Sequence, residues 1–206
     1  MSRVLVLTAL FIGQIAATKF SESQKQAILD AHNSRRRTLA NGEAQAQNGT
    51  MAKGANIREI TWDADLESKA DEWAQACNFE HPSNGGYGQN LAAQMPHVSA
   101  DSAATGSAQM WWDEIKDYSG DAKFEWSTST GHFTQMAWAE TDKIGCAIQN
   151  CTNGDTQGFG EWKDWTFTVC DYMNPGNYDG EDMYIVGEPC SKCSNKGSCS
   201  DSLCSA

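Results

Sequence analysis

Eight cysteines carry the most definite chemistry in this 206-residue chain. Four crowd the C-terminus as Cys190-x2-Cys193-x5-Cys199-x4-Cys204. That spacing suits a zinc knuckle in a reducing compartment or disulfides in an oxidising one. Cys77, Cys146, Cys151 and Cys170 are spread through the preceding chain. The possible pairings are too many for spacing to fix connectivity. There is no His-Glu-x-x-His, Gly-x-Ser-x-Gly, phosphate loop or dinucleotide fingerprint. If all eight cysteines pair, a cysteine nucleophile is excluded as well, and no enzymatic activity is expected.

The N-terminus decides the compartment. Met1-Ser2-Arg3 is a short basic start, Val4 to Ile15 is apolar apart from Thr8, Gly13 and Gln14, and Ala16-Ala17 are small. This predicts a signal peptide over 1–17, too short to span a bilayer, and a secreted, extracellular protein with four disulfides. No other run is long and apolar enough for a membrane anchor. The sequons Asn48-Gly49-Thr50 and Asn150-Cys151-Thr152 are candidate glycosylation sites. Lys and Arg total 15 against 27 Asp and Glu, a net charge of −12. With no basic stripe, nucleic acid is excluded as a partner, as is electrostatic attachment to anionic membranes.

The elements that must position any site follow from local signals. Ser21-x-x-Gln24 is a capping box opening a helix that runs to about Ala40, with Ile28, Ala31 and Leu39 on one face. On it, His32, Asn33 and Arg36 read as satisfied core polar groups. Asp63 or Asp65 caps a second helix with Leu66, Ala70, Trp73 and Cys77 on one face. A third helix is expected over Ala108 to Lys116 and a short late one around His132 to Ala139. Strands are expected at Ile144 to Ile148 and at Trp165 to Asp171, where Trp165, Phe167 and Val169 alternate with polar residues. Helices first and strands later make an α+β fold with an antiparallel sheet.

Four strings stand out: His32-Asn33-Ser34-Arg35-Arg36, Gly88-Gln89-Asn90-Leu91, Gly131-His132-Phe133-Thr134-Gln135-Met136-Ala137-Trp138, and Cys170-Asp171-Tyr172-Met173-Asn174-Pro175-Gly176-Asn177-Tyr178. Together they strongly resemble the CAP superfamily of cysteine-rich secretory, antigen 5 and pathogenesis-related proteins. Within it the chain is most similar to the single-domain venom-allergen-like secreted proteins of parasitic nematodes. The resemblance covers roughly Phe20 to Glu188. It implies a three-layer α-β-α sandwich around a three-stranded antiparallel sheet over 18–188, and a cysteine-stapled tail over 189–206. It also implies the disulfides Cys77–Cys151, Cys146–Cys170, Cys190–Cys199 and Cys193–Cys204.

Carried over residue by residue, the family's metal cleft falls on His81, Gln89, Glu114 and His132. The family usually has Glu where Gln89 stands. Neutral imidazole is a good zinc ligand, and Glu114 can orient one from behind. Gln89 cannot act as a general base, so weak binding of a divalent metal such as zinc is expected rather than hydrolysis. The plainer alternative is that His81 and His132 simply hydrogen-bond across the cleft. Some members bind sterols on an aromatic loop, here Tyr118, Phe124 and Trp126. Others bind fatty acids between the first and the late helix. The expected function is capture of sterol or fatty acid, modulation of host immunity through a host protein, or both.

Overall fold

Ser21 opens α1 (Glu22–Ala40) as a capping box: its hydroxyl accepts the Gln24 N–H, and the Gln24 side chain accepts the Ser21 N–H. The computed structural model describes residues 19–83, 85–152, 154–155, 161–194 and 197–205; the expected signal peptide lies outside them. After a hairpin of β1 (Gln45–Ala46) and β2 (Gly49–Thr50) comes β3 (Thr61–Trp62). The Asp63 carboxylate then accepts the N–H groups of Asp65 and Leu66 and starts α2 (Ala64–Gln75). Strand β4 (Gly88–Gln94) precedes α3 (Ala100–Asp113), a 3-10 turn (Glu114–Asp117) and α4 (Gly131–Ala137). Strand β5 (Lys143–Cys151), the small hairpin of β6 (Gly154–Asp155) and β7 (Glu161–Trp162), strand β8 (Trp165–Met173), and the tail hairpin of β9 (Cys199–Ser200) and β10 (Leu203–Cys204) complete the chain.

The central sheet has the order β3-β5-β8-β4. Its three long strands β4, β5 and β8 are antiparallel, and β3 adds a fourth, two-residue edge parallel to β5. Helix α2 covers one face, where Ala70 and Ala74 pack on Leu91, Ala147, Trp165, Phe167 and Val169. It lies so close that a Cβ at Gly145 would stand 2.0 Å from the Glu67 nitrogen. The other face is buried under α1, α3 and α4 through Ile28, Ala104, Trp111 and Met136 against Ile144, Ile148 and Tyr172.

Three expectations change. Helix α3 starts eight residues before Ala108, because its first turns bury only Ala103, Ala104 and Ser107, too small for a strong apolar signal. Strand β4 was not anticipated. The polar residues of β8 do not face water: Thr166, Thr168 and Asp171 are at most 1% exposed, because helices cover both faces of the sheet.

Four disulfides link Cys77–Cys151, Cys146–Cys170, Cys190–Cys199 and Cys193–Cys204, the pairs that the resemblance implies. The clustered sulfurs of Cys190, Cys193 and Cys204 are therefore not thiolate metal ligands. The tail docks onto the sandwich: Leu203 is buried beside Leu39 and Ile57, and Cys204 pairs with the backbone of Ile57 and Glu59.

Candidate metal centre and binding cleft

The late helix α4 is held in place by its own sequence. Phe133 enters the core against Trp112 and Tyr118. The Thr134 hydroxyl donates to Asn177 Oδ1 over 2.7 Å, and Asn177 Nδ2 donates to the Gly131 carbonyl. Gln135 Oε1 accepts the Gly176 N–H and its Nε2 donates to Thr141. Gln135 also lies on Gly88, where a Cβ would stand 2.0 Å from its oxygen. Gly131-His132-Phe133-Thr134-Gln135 thus presents His132 to a cleft, with Gln135 at its wall, and Phe133, Thr134 and Gln135 hold the helix there.

His132 stacks on Trp111 with ring centroids 6.2 Å apart. Its Nδ1 donates to Glu114 Oε1 over 2.6 Å, and Glu114 Oε2 accepts the backbone N–H groups of His132 and Phe133. Glu114 is therefore engaged behind the ring and at the start of α4, which leaves the His132 Nε2 for the cleft. Asn90 Nδ2 donates to the His132 carbonyl. Across the cleft, His81 Nδ1 meets Gln89 Oε1 at 3.0 Å, and Gln89 Nε2 donates to Asp171 Oδ1 at 2.9 Å. Loss of water around the ring, with His132 nearby, holds His81 below the usual imidazole range despite the Gln89 contact, so it is neutral at pH 7. Among the described residues no hydrogen bond joins the two imidazoles, so each is tied to its own side of the cleft.

The cleft is an open cavity of about 490 Å³ lined by both imidazoles, Tyr87, Gln89, Trp126 and Asn177. The aromatic loop contributes less to it than the sequence suggests. Tyr118 and Phe124 are 4% and 1% exposed, and only Trp126, at 63%, is open to solvent. The burial has a backbone cause: Phe124 N–H donates to the Glu181 carbonyl and Met183 N–H to that of Ala122, so this loop is laid along the chain leading out of β8.

The space between α1 and α4, where a fatty-acid groove is implied, holds the Arg36 guanidinium, which donates to the carbonyls of Met136, Trp138, Ala139 and Thr141. A second concavity opens between α1 and α3, where polar Asp30, Ser34, Arg35 and Gln109 stand around an apolar floor that includes Ala27 and Ala31.

Residues 29–172 match the profile of the CAP, cysteine-rich secretory protein, family. The chain belongs to that family. It is 33% identical over 205 residues to an Ancylostoma secreted protein of Ancylostoma caninum, covering 92% of this chain but only 46% of that one. It is 34% identical over 198 residues to peptidase inhibitor 15-A of Danio rerio, covering 89% and 70%. The solved structure titled NaASP2 with Zn2+ superposes with a TM-score of 0.79 at 31% identity, covering 91% of this chain and 97% of that one.

In this CAP protein two participants escape the sequence reading. Asn90 lies in a quoted string, yet nothing in its spacing announces a bond to the His132 backbone. Asp171 looks like an outward residue of an alternating strand, and only the helices on both faces of the sheet reveal it as a buried acid.

Proposed function

We propose that this is a secreted binding protein whose cleft holds a divalent metal, zinc by its donor type, on Nε2 of His81 and His132, with the captured ligand seated against Trp126. One observation carries the reading: each Nδ1 is tied back, to Glu114 or to Gln89, so two nitrogen lone pairs meet in one cavity. Imidazole nitrogens suit zinc, and a hydrogen-bonded partner behind each ring is what a metal-binding histidine needs. The similar NaASP2 structure with Zn2+ supports the same chemistry. Bound metal would supply a Lewis-acid position for an anionic or carbonyl group of the ligand.

Two protein donors are fewer than the three of hydrolytic zinc sites. Gln89 is an amide and cannot act as a base, and both oxygens of Glu114 are turned to the His132 ring and the start of α4. Binding is thus favoured over hydrolysis. The four disulfides and the similarity to an Ancylostoma secreted protein support an extracellular location.

Calorimetric titration of zinc chloride into the metal-free protein tests the reading. Saturable uptake that disappears in His81→Ala/His132→Ala is expected; no uptake, or uptake that survives both substitutions, overturns it.

Trp126 favours a sterol or fatty acid as the captured molecule. It begins a row of rings, Trp126–Phe124–Trp138–Tyr178, with centroids 5.8–6.3 Å apart. Both ends of the row are exposed. An exposed Trp and Tyr are also the anchors a host protein would use.

A further inference from the structure

Behind Gln89, directly opposite it on β8, stands Asp171 with no exposed surface. Its Oδ1 accepts the Gln89 amide, and its Oδ2 has no hydrogen-bond partner among the described residues. A buried carboxyl that makes one hydrogen bond is costly, and an apolar side chain would fill this place with less penalty. The one bond it does make points at the cleft.

The polarity of that bond has a consequence. A carboxylate only accepts, whereas an amide donates at one end and accepts at the other. With Asp171 ionised, the Gln89 nitrogen must therefore face it, and the Gln89 oxygen must face His81. His81 Nδ1 then has to carry the proton, which leaves the lone pair on Nε2. We propose that Asp171 is a positioning residue that sets the tautomer of His81 through Gln89. The inference rests on the reading of His81 as a cleft donor and adds what fixes it as one. On the other side Glu114 does this job directly, with one carboxylate touching the ring. On the His81 side the acid stands one residue further back and acts through an amide.

The test reads the tautomer in 15N-labelled, metal-free protein, from two-bond 1H–15N couplings of the imidazole. It is run at about pH 8.5, because burial pushes the Asp171 carboxyl up to about 7. The wild type should carry its His81 proton on Nδ1. Asp171→Asn keeps the shape but introduces a buried NH2. An orphaned N–H is worse tolerated than an under-satisfied carbonyl, so the new amide donates to Gln89 Oε1, Gln89 turns over, and His81 must accept at Nδ1. The proton should move to Nε2, with zinc affinity falling about tenfold or more.

Gln89→Glu/Asp171→Asn restores an acceptor beside His81 and should return the proton to Nδ1, which separates tautomer control from general damage. Should Asp171→Asn not fold, Gln89→Met cuts the relay at its partly exposed middle and should give mixed tautomers. His81 staying wholly Nδ1-protonated in Asp171→Asn or Gln89→Met overturns the proposal. A tautomer that responds as expected in a protein that takes up no zinc would sink the metal reading and leave the relay standing.

Discussion

Glu114 grips His132 at both ring and backbone: Oε1 takes the Nδ1 proton at 2.6 Å while Oε2 takes the His132 N–H at 2.9 Å. One carboxylate thus caps a seven-residue helix and orients the imidazole that the helix carries. Glu114→Gln cannot do both, because an amide has only one accepting end. With its oxygen on the backbone, its NH2 faces Nδ1 and reverses the His132 tautomer. Zinc affinity should fall about 10–100-fold. Loss of the charged cap should cost about 1 kcal/mol in urea denaturation. Zinc affinity unchanged in a folded variant would show that the ring needs no such orientation.

Lipid capture, if it uses the aromatic loop, depends on Trp126 alone. Saturable binding of labelled cholesterol or a labelled fatty acid should be lost in Trp126→Ala, which removes an exposed ring and should change stability by about 0.5 kcal/mol or less. Phe124→Ala is a poor probe, because emptying that core position costs about 3–5 kcal/mol on its own. Binding that persists in Trp126→Ala would move the lipid elsewhere, with the concavity between α1 and α3 as the next place to substitute.

The two sequons differ in setting. Asn48 is exposed at the tip of the β1–β2 hairpin. Asn150 lies within β5, its oxygen accepts the Thr166 hydroxyl, and the next residue is the half-cystine Cys151. Protein secreted from a eukaryotic host should therefore carry its glycan at Asn48. Asn48→Gln should remove the mass released by peptide-N-glycosidase, and Asn150→Gln should leave it. The reverse pattern would mean that modification precedes formation of β5.

Legibility followed the strength of local signals. The Ser21 and Asp63 caps were readable because a capping hydrogen bond joins residues two or three apart. Helix α4 was readable because its string is dense with fixed roles. The start of α3 was hidden by an alanine and serine face, and β4 by Gln89, Asn90, Ala92 and Ala93, residues with little strand preference. Whether the loop rings face solvent or fold back onto the sandwich is not a local property, because the pairing that buries Phe124 reaches from 124 to 181. Asp171 was hidden for a related reason. Alternation distinguishes two faces of a strand but cannot say that both are covered.

His32 makes folding sensitive to acid. It is fully buried between the Ile28 carbonyl and the Tyr172 hydroxyl. Burial pulls its pKa from 6.5 to about 4, opposed by the Ile28 bond. The unfolded chain therefore binds a proton below about 6.5 while the folded protein refuses it until about 4, and stability falls as pH drops through that window. The drop attributable to this ring is about 3 kcal/mol. Asp171, raised by burial, acts in the opposite sense over a similar range, so the comparison must be internal. The stability difference between His32→Gln and wild type should change by that amount between pH 7 and pH 4, measured by denaturation at each pH. A difference that stays constant would mean that the folded protein accepts the proton.

Arg36 uses every donor it has. Its Nε donates to the Arg58 carbonyl, one terminal nitrogen to Met136 and Trp138, and the other to Ala139 and Thr141, at 2.8–3.2 Å, with no side chain exposure. A guanidinium has five N–H groups, and here five carbonyls take them. Burial lowers its pKa to about 9, so it remains charged at neutral pH, at the end of α4 where the helix dipole favours a cation. Arg36→Met fills the volume but takes a donor from all five carbonyls, of which Trp138 and Ala139 keep the backbone N–H groups of Thr141 and Arg58; partly offset by removing a buried charge, it should cost about 3 kcal/mol. Arg36→Lys should recover less than half of that, because three donors at one point cannot reach five separated carbonyls. Since two of these carbonyls, Met136 and Trp138, end the helix that carries His132, zinc affinity should fall in both variants even where they fold. A Lys variant as stable as wild type would show that charge at this helix end, and not the five-way bonding, is what holds α4 in place.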